Sequence, residues 1–279
     1  MQSGRPSRTA LRVAERRAVH QVLDHPQVLN DPIAVPLLGR EFKYDAEFES
    51  SRYGRAFRAF MVARSRLTED HLAAAVAQGL AQYVVLGAGL DTFAYRNPFP
   101  QIRVFEVDFP ATQEWKRSLL ETAGISVPSN LTFVPLDFEH MTLADGLAAA
   151  AFDSDKPAFF GWLGVVPYLS LPAFQATLET IGRLREGSGV CFDFAQPPEL
   201  IEPQYLPAFQ ALAARVAAAG EPFRLFFSRE QLTEQFVAAG FSRIEILTPG
   251  EINDRYFQNR SDELTMPRGG VGMFATAWK

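Results

Sequence analysis

Tyr83-Val84-Val85-Leu86-Gly87-Ala88-Gly89-Leu90-Asp91-Thr92 is the stretch whose reading decides the fold. Its first four residues form a short, unbroken apolar run, the pattern of a strand buried on both faces. The run feeds directly into two glycines one residue apart, which let a backbone turn tightly and approach a ligand with no side chain in the way. Downstream, short apolar runs alternate with helical stretches. Strands are predicted over 83–86, 104–107, 131–134, 158–163, 190–194 and 244–247, and helices over 110–122, 143–150, 171–184 and 229–239. Ser228 followed by Gln231 fits a capping box at the start of the last helix. This alternation predicts an α/β fold with a doubly wound, mostly parallel sheet covered on both faces. A final run over 272–278 reads as a seventh strand, expected to form a hairpin with 244–247 at the sheet edge.

Upstream of the quoted stretch the chain reads as helical from residue 9 to about 80, with residues 1–10 loose. Asp31-Pro32 looks like a helix start, with proline in the first turn. A long helix over 52–78 carries Phe57, Phe60, Met61 and Leu67 at helical spacing. Residues 196–226 interrupt the strand–helix rhythm for far longer than an ordinary connection, so they read as an insertion with a helix near 207–219. The expected organisation is one domain over 1–279: a helical cap over 1–80, a core over 81–195, a lid insertion over 196–226, and the rest of the core over 227–279.

Composition narrows the function classes. The 279 residues carry a formal net charge of -5 and are 47% hydrophobic, which is enough for a sizeable core. There is no basic stripe of the kind nucleic-acid binding requires, so no nucleic-acid partner is expected. Cys191 is the only cysteine, which leaves no internal disulfide and suits a reducing compartment. The first residues lack an apolar core, so they do not read as a secretory signal. The most apolar long run, 72–90, is broken by Gln78, Gly79 and Gln82 and is not a membrane span. The expectation is a cytoplasmic protein with no membrane partner and no metal.

Two acids behind the glycine loop point to a nucleoside-bearing ligand. The second strand ends Glu106-Val107-Asp108, about twenty residues past the glycines, where an acid is placed to accept from two ribose hydroxyls. Glu106 and Asp108 face the same side of an ideal strand, so spacing does not choose between them. Asp108 is favoured because it lies at the carboxyl end, where open α/β sheets bind ligands. The third strand leads to Asp137-Phe138, a carboxylate for an adenine amino group beside a ring to pack on it. A dinucleotide site usually has a third glycine, and here that position is Thr92. Asp91 would repel a pyrophosphate and attract a sulfonium and an ammonium. No tyrosine has a lysine four residues on, as a short-chain dehydrogenase would need. These features favour S-adenosylmethionine over a nicotinamide cofactor.

The stretch 85–92, with Phe105-Glu106-Val107-Asp108-Phe109-Pro110 and Lys116, resembles the leucine carboxyl methyltransferase family. That family spans protein phosphatase methyltransferases and a large bacterial branch of small-molecule O-methyltransferases. Ala63-Arg64-Ser65-Arg66, Asp31-Pro32-Ile33-Ala34 and Tyr168-Leu169 extend the match over nearly the whole chain. The resemblance implies a Rossmann-like class I fold with S-adenosylmethionine held by Arg64, Gly87, Ala88, Gly89, Asp91, Asp108, Asp137 and Phe138. Arg64 would pair with the methionyl carboxylate; without the resemblance it would read as a solvated charge on an amphipathic helix. Leu163 stands where the protein phosphatase members carry an acid, which argues against a protein phosphatase substrate.

A carboxylate acceptor of a small molecule or peptide is expected, because it is already ionised and needs alignment and dehydration more than a base. A hydroxyl or phenol acceptor on the same fold is the alternative, with His140 as the base to test; a non-catalytic S-adenosylmethionine-binding protein is the alternative of another class. Tyr168, Tyr205, Phe209, Phe223, Phe226 and Phe227 are expected to line an apolar substrate pocket. Arg215 or Arg224 would steer an acidic substrate.

Overall fold

The computed structural model describes residues 8–39, 41–137, 141–218 and 220–279. Seven strands form one sheet in the order β3-β2-β1-β4-β5-β7-β6. They are β1 (Gln82–Leu86), β2 (Arg103–Asp108), β3 (Leu131–Pro135), β4 (Phe159–Trp162), β5 (Gly189–Ala195), β6 (Arg243–Leu247) and β7 (Gly272–Trp278). Strands β1 to β5 pair in parallel, while β7 runs antiparallel to both β5 and β6.

Alternation along the strands feeds two cores. Val84, Leu86, Phe105, Val190 and Phe192 point to one face, and Tyr83, Val85, Val104 and Cys191 to the other. The first face is covered by α7 (Leu143–Ala149), α8 (Leu171–Gly182) and α10 (Arg229–Ala238), through residues such as Leu147, Phe174 and Phe236. The second is covered by α4 (Arg52–Ala77), α5 (Phe93–Arg96) and α11 (Pro249–Tyr256), through Val62, Leu67, Phe93 and Ile252. The Ser228–Gln231 capping box is formed in both directions. The remaining helices are α1 (Arg8–Leu23), α2 (Ala34–Leu38), α3 (Ala46–Ser50), α6 (Pro110–Thr122) and α9 (Leu206–Ala218). Among the described residues, no helix is long and apolar enough to cross a membrane.

Three local readings are corrected. The final strand pairs antiparallel with β6 at this end of the sheet, as expected, but β6 is the edge strand and the connection is far longer than a hairpin turn. The final strand fills the slot between β5 and β6, with α11 on the connection, because its residues are apolar on both faces and are buried from Met273 to Trp278. Asp31-Pro32 does not open a helix: α2 starts at Ala34, and the Asp31 carboxylate is drawn instead to Arg17. The helical region begins before residue 9, since α1 includes Arg8; the rest of the stretch expected to be loose lies outside the described residues.

Strand order reverses between β1 and β4, and the carboxyl ends of the strands beside that reversal form the crevice where such sheets bind ligands. The glycine loop follows β1 there, and Leu163-Gly164 follows β4.

Candidate active site

Two cavities open at this crevice. One, of about 1030 Å³, is lined by Arg64, Gly87, Ala88, Gly89, Asp91, Asp108 and Asp137, together with Phe109 and Leu163. The other, of about 720 Å³, is lined by Tyr168, Tyr205, Phe209 and Phe223, and by Tyr53, Phe57 and Phe60. Phe138 and His140 lie outside the described residues. Phe226 packs edge-on against Phe209 and Phe223, and Phe227 is buried against Phe174, so neither lines a cavity.

The glycine loop is tight for a stereochemical reason. Gly87 has φ of 64°, and a Cβ built on it would lie 2.4 Å from Val165 Cγ2. Its N–H and that of Ala88 donate to the Val107 carbonyl at 2.8 and 3.1 Å, which ties the loop to the end of β2. Asp108 closes the other side: its carboxylate accepts from the Gly89 N–H at 2.5 Å and the Phe109 N–H at 2.6 Å. Burial raises the pKa of Asp108, against the pull of these two donors. Each oxygen still has acceptor capacity toward the cavity.

Glu106 is placed differently. Its carboxylate lies 2.6 Å from Lys116 Nζ, both side chains are 1% exposed, and it does not line the cavity. The buried ammonium has claimed the acid that spacing alone left as an alternative. Asp91 also shares its charge. One oxygen accepts from the Phe93 N–H at 2.8 Å, and the other stands 3.3 Å from Arg17. Its pull on a cationic ligand is therefore weaker than the loop sequence suggests.

Arg64 sits where the two cavities meet. Residues 53, 57, 60, 61 and 64 form one stripe along α4, so the helix face that presents the aromatic wall ends in the guanidinium. Arg64 Nη1 lies 3.3 Å from Asp193 Oδ2, and Asp193 Oδ1 accepts from the Gly164 N–H at 2.7 Å. Gly164 has φ of 70°, and a Cβ there would come within 2.8 Å of Arg64 Nη1. Thr9, Val13, Arg64, Gly164 and Tyr168 belong to the walls of both cavities. Tyr168 ends a short 3-10 turn, its ring 5.4 Å from that of Phe223, and burial pushes its phenol up to about 12. The loop after α9 is stitched to this turn by Arg224 N–H donating to the Pro167 carbonyl at 2.8 Å. The Thr9 hydroxyl donates to Glu221 and joins α1 to the same loop.

Sequence reasoning missed Asp193. Its signal was present: an acid inside the apolar run Val190-Cys191-Phe192-Asp193-Phe194 has to find a buried partner. Arg17 was also missed, and nothing in the local sequence links it to Asp31 or Asp91. None of His20, His25 and His71 lines either cavity. His20 is buried and its Nε2 accepts from the Val28 and Leu29 N–H groups, which makes it a structural residue.

Residues 10–182 match the family described as leucine carboxyl methyltransferase. The chain belongs to the leucine carboxyl methyltransferase family. It is similar to the Bacillus subtilis protein YktD, named as an S-adenosyl-L-methionine-dependent methyltransferase, at 30% identity over 95% of this chain and 96% of that one. A Mycobacterium avium protein bearing the same activity name is 30% identical over 75% of this chain and 73% of its own. In structure, a protein from Thermobifida fusca described as a methyltransferase superposes with a TM-score of 0.57 at 19% identity, over 100% of this chain and 96% of the other. The cofactor of this methyltransferase is S-adenosylmethionine. The larger cavity suits it, with a cradle at Gly87 that a Cβ would fill and a buried carboxylate at Asp108.

Proposed function

We propose that this methyltransferase methylates a carboxylate oxygen of a small molecule or peptide. Arg64, Gly87, Ala88, Gly89, Asp91, Asp108 and Asp137 would hold S-adenosylmethionine, with Asp108 on the ribose and the free edge of Arg64 on the methionyl carboxylate. Bound there, the cofactor supplies a methyl carbon made electrophilic by its sulfonium. The observation that carries the choice of acceptor is the wall shared by the two cavities. Among its described residues it contains no histidine, lysine or free carboxylate to act as a base. The neighbouring carboxylates are already engaged: Asp193 accepts from Gly164 and faces Arg64, and Glu221 accepts from the Thr9 hydroxyl. Tyr168 stays protonated near neutral pH, so it offers a proton and is not a base. A carboxylate suits such a place, because it is ionised without help and accepts the Tyr168 proton donor. The aromatic walls exclude water and hold the acceptor in line.

The product decides the reading. An alkali-labile methyl ester, seen by mass spectrometry after incubating a host extract with enzyme and cofactor, is the expected result. An alkali-stable product would replace it with hydroxyl methylation.

Two substitutions test the assignments. Asp108→Asn is expected to weaken binding of the demethylated cofactor by about tenfold to a hundredfold, the range for hydrogen bonds to a charged group. Calorimetry measures this, and unchanged affinity would remove Asp108 from the ribose. Tyr168→Phe is expected to lower kcat/KM by about tenfold or more with cofactor affinity retained. If kcat/KM holds at the wild-type value, Tyr168 does not touch the acceptor.

A further inference from the structure

Resting on the carboxylate reading, we propose that the acceptor is a single-headed apolar acid: one carboxylate on an extended hydrocarbon or aromatic body of about twenty or more heavy atoms. The apolar cavity of about 720 Å³ corresponds to roughly two dozen waters at ~30 Å³ each, and so to a body of that size. Two helix faces make its long walls. Tyr53, Phe57 and Phe60 on α4 form one, and Phe209, Leu212 and Val216 on α9 form the other.

The rings along these walls are already packed on their own side. Tyr53 stacks on Phe57 at 6.3 Å and Phe209 on Phe223 at 6.2 Å, and the slot stays open between the two sets. At the inner end are Arg64, Asp193 and Tyr168, where the slot meets the cofactor cavity. Its lining also carries the exposed Arg12, Lys43 and Arg215 against Asp45, with Glu15 and Arg16 partly exposed beside them, a positive excess that draws an anion inward.

This distribution selects against a peptide. A peptide threaded between the walls would bury an N–H and a C=O at every residue, and of the wall residues named only Tyr53 has a hydroxyl to meet them. An apolar chain ending in one carboxylate leaves nothing unpaired: its body meets the walls and its head meets Tyr168.

The test is calorimetric binding of straight-chain carboxylic acids of about four to twelve carbons to the full chain saturated with demethylated cofactor. Methyl ester formation is then followed separately with S-adenosylmethionine. Affinity is expected to rise about fourfold for each added methylene, as for a methylene leaving water for an apolar wall. Phe57→Ala and Phe209→Ala should each flatten that rise, with demethylated cofactor still bound as by wild type. Affinity independent of chain length, or a rise untouched by both substitutions, overturns the proposal. Length-dependent binding without ester formation upholds the slot and overturns only the carboxylate chemistry. Esters formed equally well on short and long acids do the reverse.

Discussion

Gly87→Ala is expected to weaken binding of the demethylated cofactor by about a hundredfold or more while the chain stays folded. Two costs coincide at this residue. Its φ of 64° is one that L side chains rarely adopt, and the added methyl would stand 2.4 Å from Val165 Cγ2. Backbone strain of this kind and overpacking each cost about 1–3 kcal/mol. The loop would relieve them by moving away from β4, which takes the Gly87–Gly89 backbone out of the larger cavity, where the cofactor is proposed to bind. Calorimetry with the demethylated cofactor gives the loss, and far-ultraviolet circular dichroism shows whether the sheet is retained. Gly87→Ala combined with Val165→Ala removes the clash and leaves the strain, so it should recover part of the affinity. Wild-type affinity in Gly87→Ala alone would mean that the loop does not carry the cofactor.

The largest effect on stability is expected from Arg17→Met. Arg17 is buried, with its guanidinium 2.5 Å from Asp31 and also bonded to Thr92. Among the described residues Asp31 keeps only Arg96, at 3.4 Å, as a second cation. Removing one partner of a buried pair typically costs about 3–5 kcal/mol, because the other charge is left without compensation. Denaturant unfolding should show a loss on that scale, and Arg17→Met with Asp31→Leu should recover much of it. The pH dependence has a definite sign. Burial alone would raise the pKa of Asp31, but Arg17, Arg96 and the Thr92 hydroxyl outweigh it and the net shift is downward from 3.8. The wild-type pair therefore contributes stability above that value and loses it as pH falls through the lower folded one. The gap between wild type and Arg17→Met should narrow in acid, where Asp31 is neutral in both. A gap that stays constant with pH would place the cost elsewhere than in the stranded carboxylate.

The sheet was legible because its strands are continuous apolar runs with turn residues at their ends, and such runs have few other places to go in a folded chain. The place of β7 was legible in part. Its antiparallel pairing with β6 was expected, but its second neighbour, β5, is decided by long-range pairing that its pattern does not show. At the site, the glycine loop and Asp108 stood out because loop, strand end and acid follow one another at fixed spacing. The choice against Glu106 needed Lys116, ten residues on and on a helix, to be seen reaching back beneath the strand. Asp193 and Arg17 stayed hidden because their partners are far along the chain, and each reads by itself as an ordinary charge.

The wall formed by Thr9, Val13, Arg64, Gly164 and Tyr168 belongs to both cavities, so on the proposed placement of cofactor and acceptor each occupant completes the other's container. Affinities linked through a common wall are reciprocal: whatever factor the cofactor adds to acceptor binding, the acceptor returns to the cofactor. The same linkage acts after turnover. On the proposed placement, any factor by which spent cofactor and methylated product tighten each other's binding is common to both and is lost when either departs.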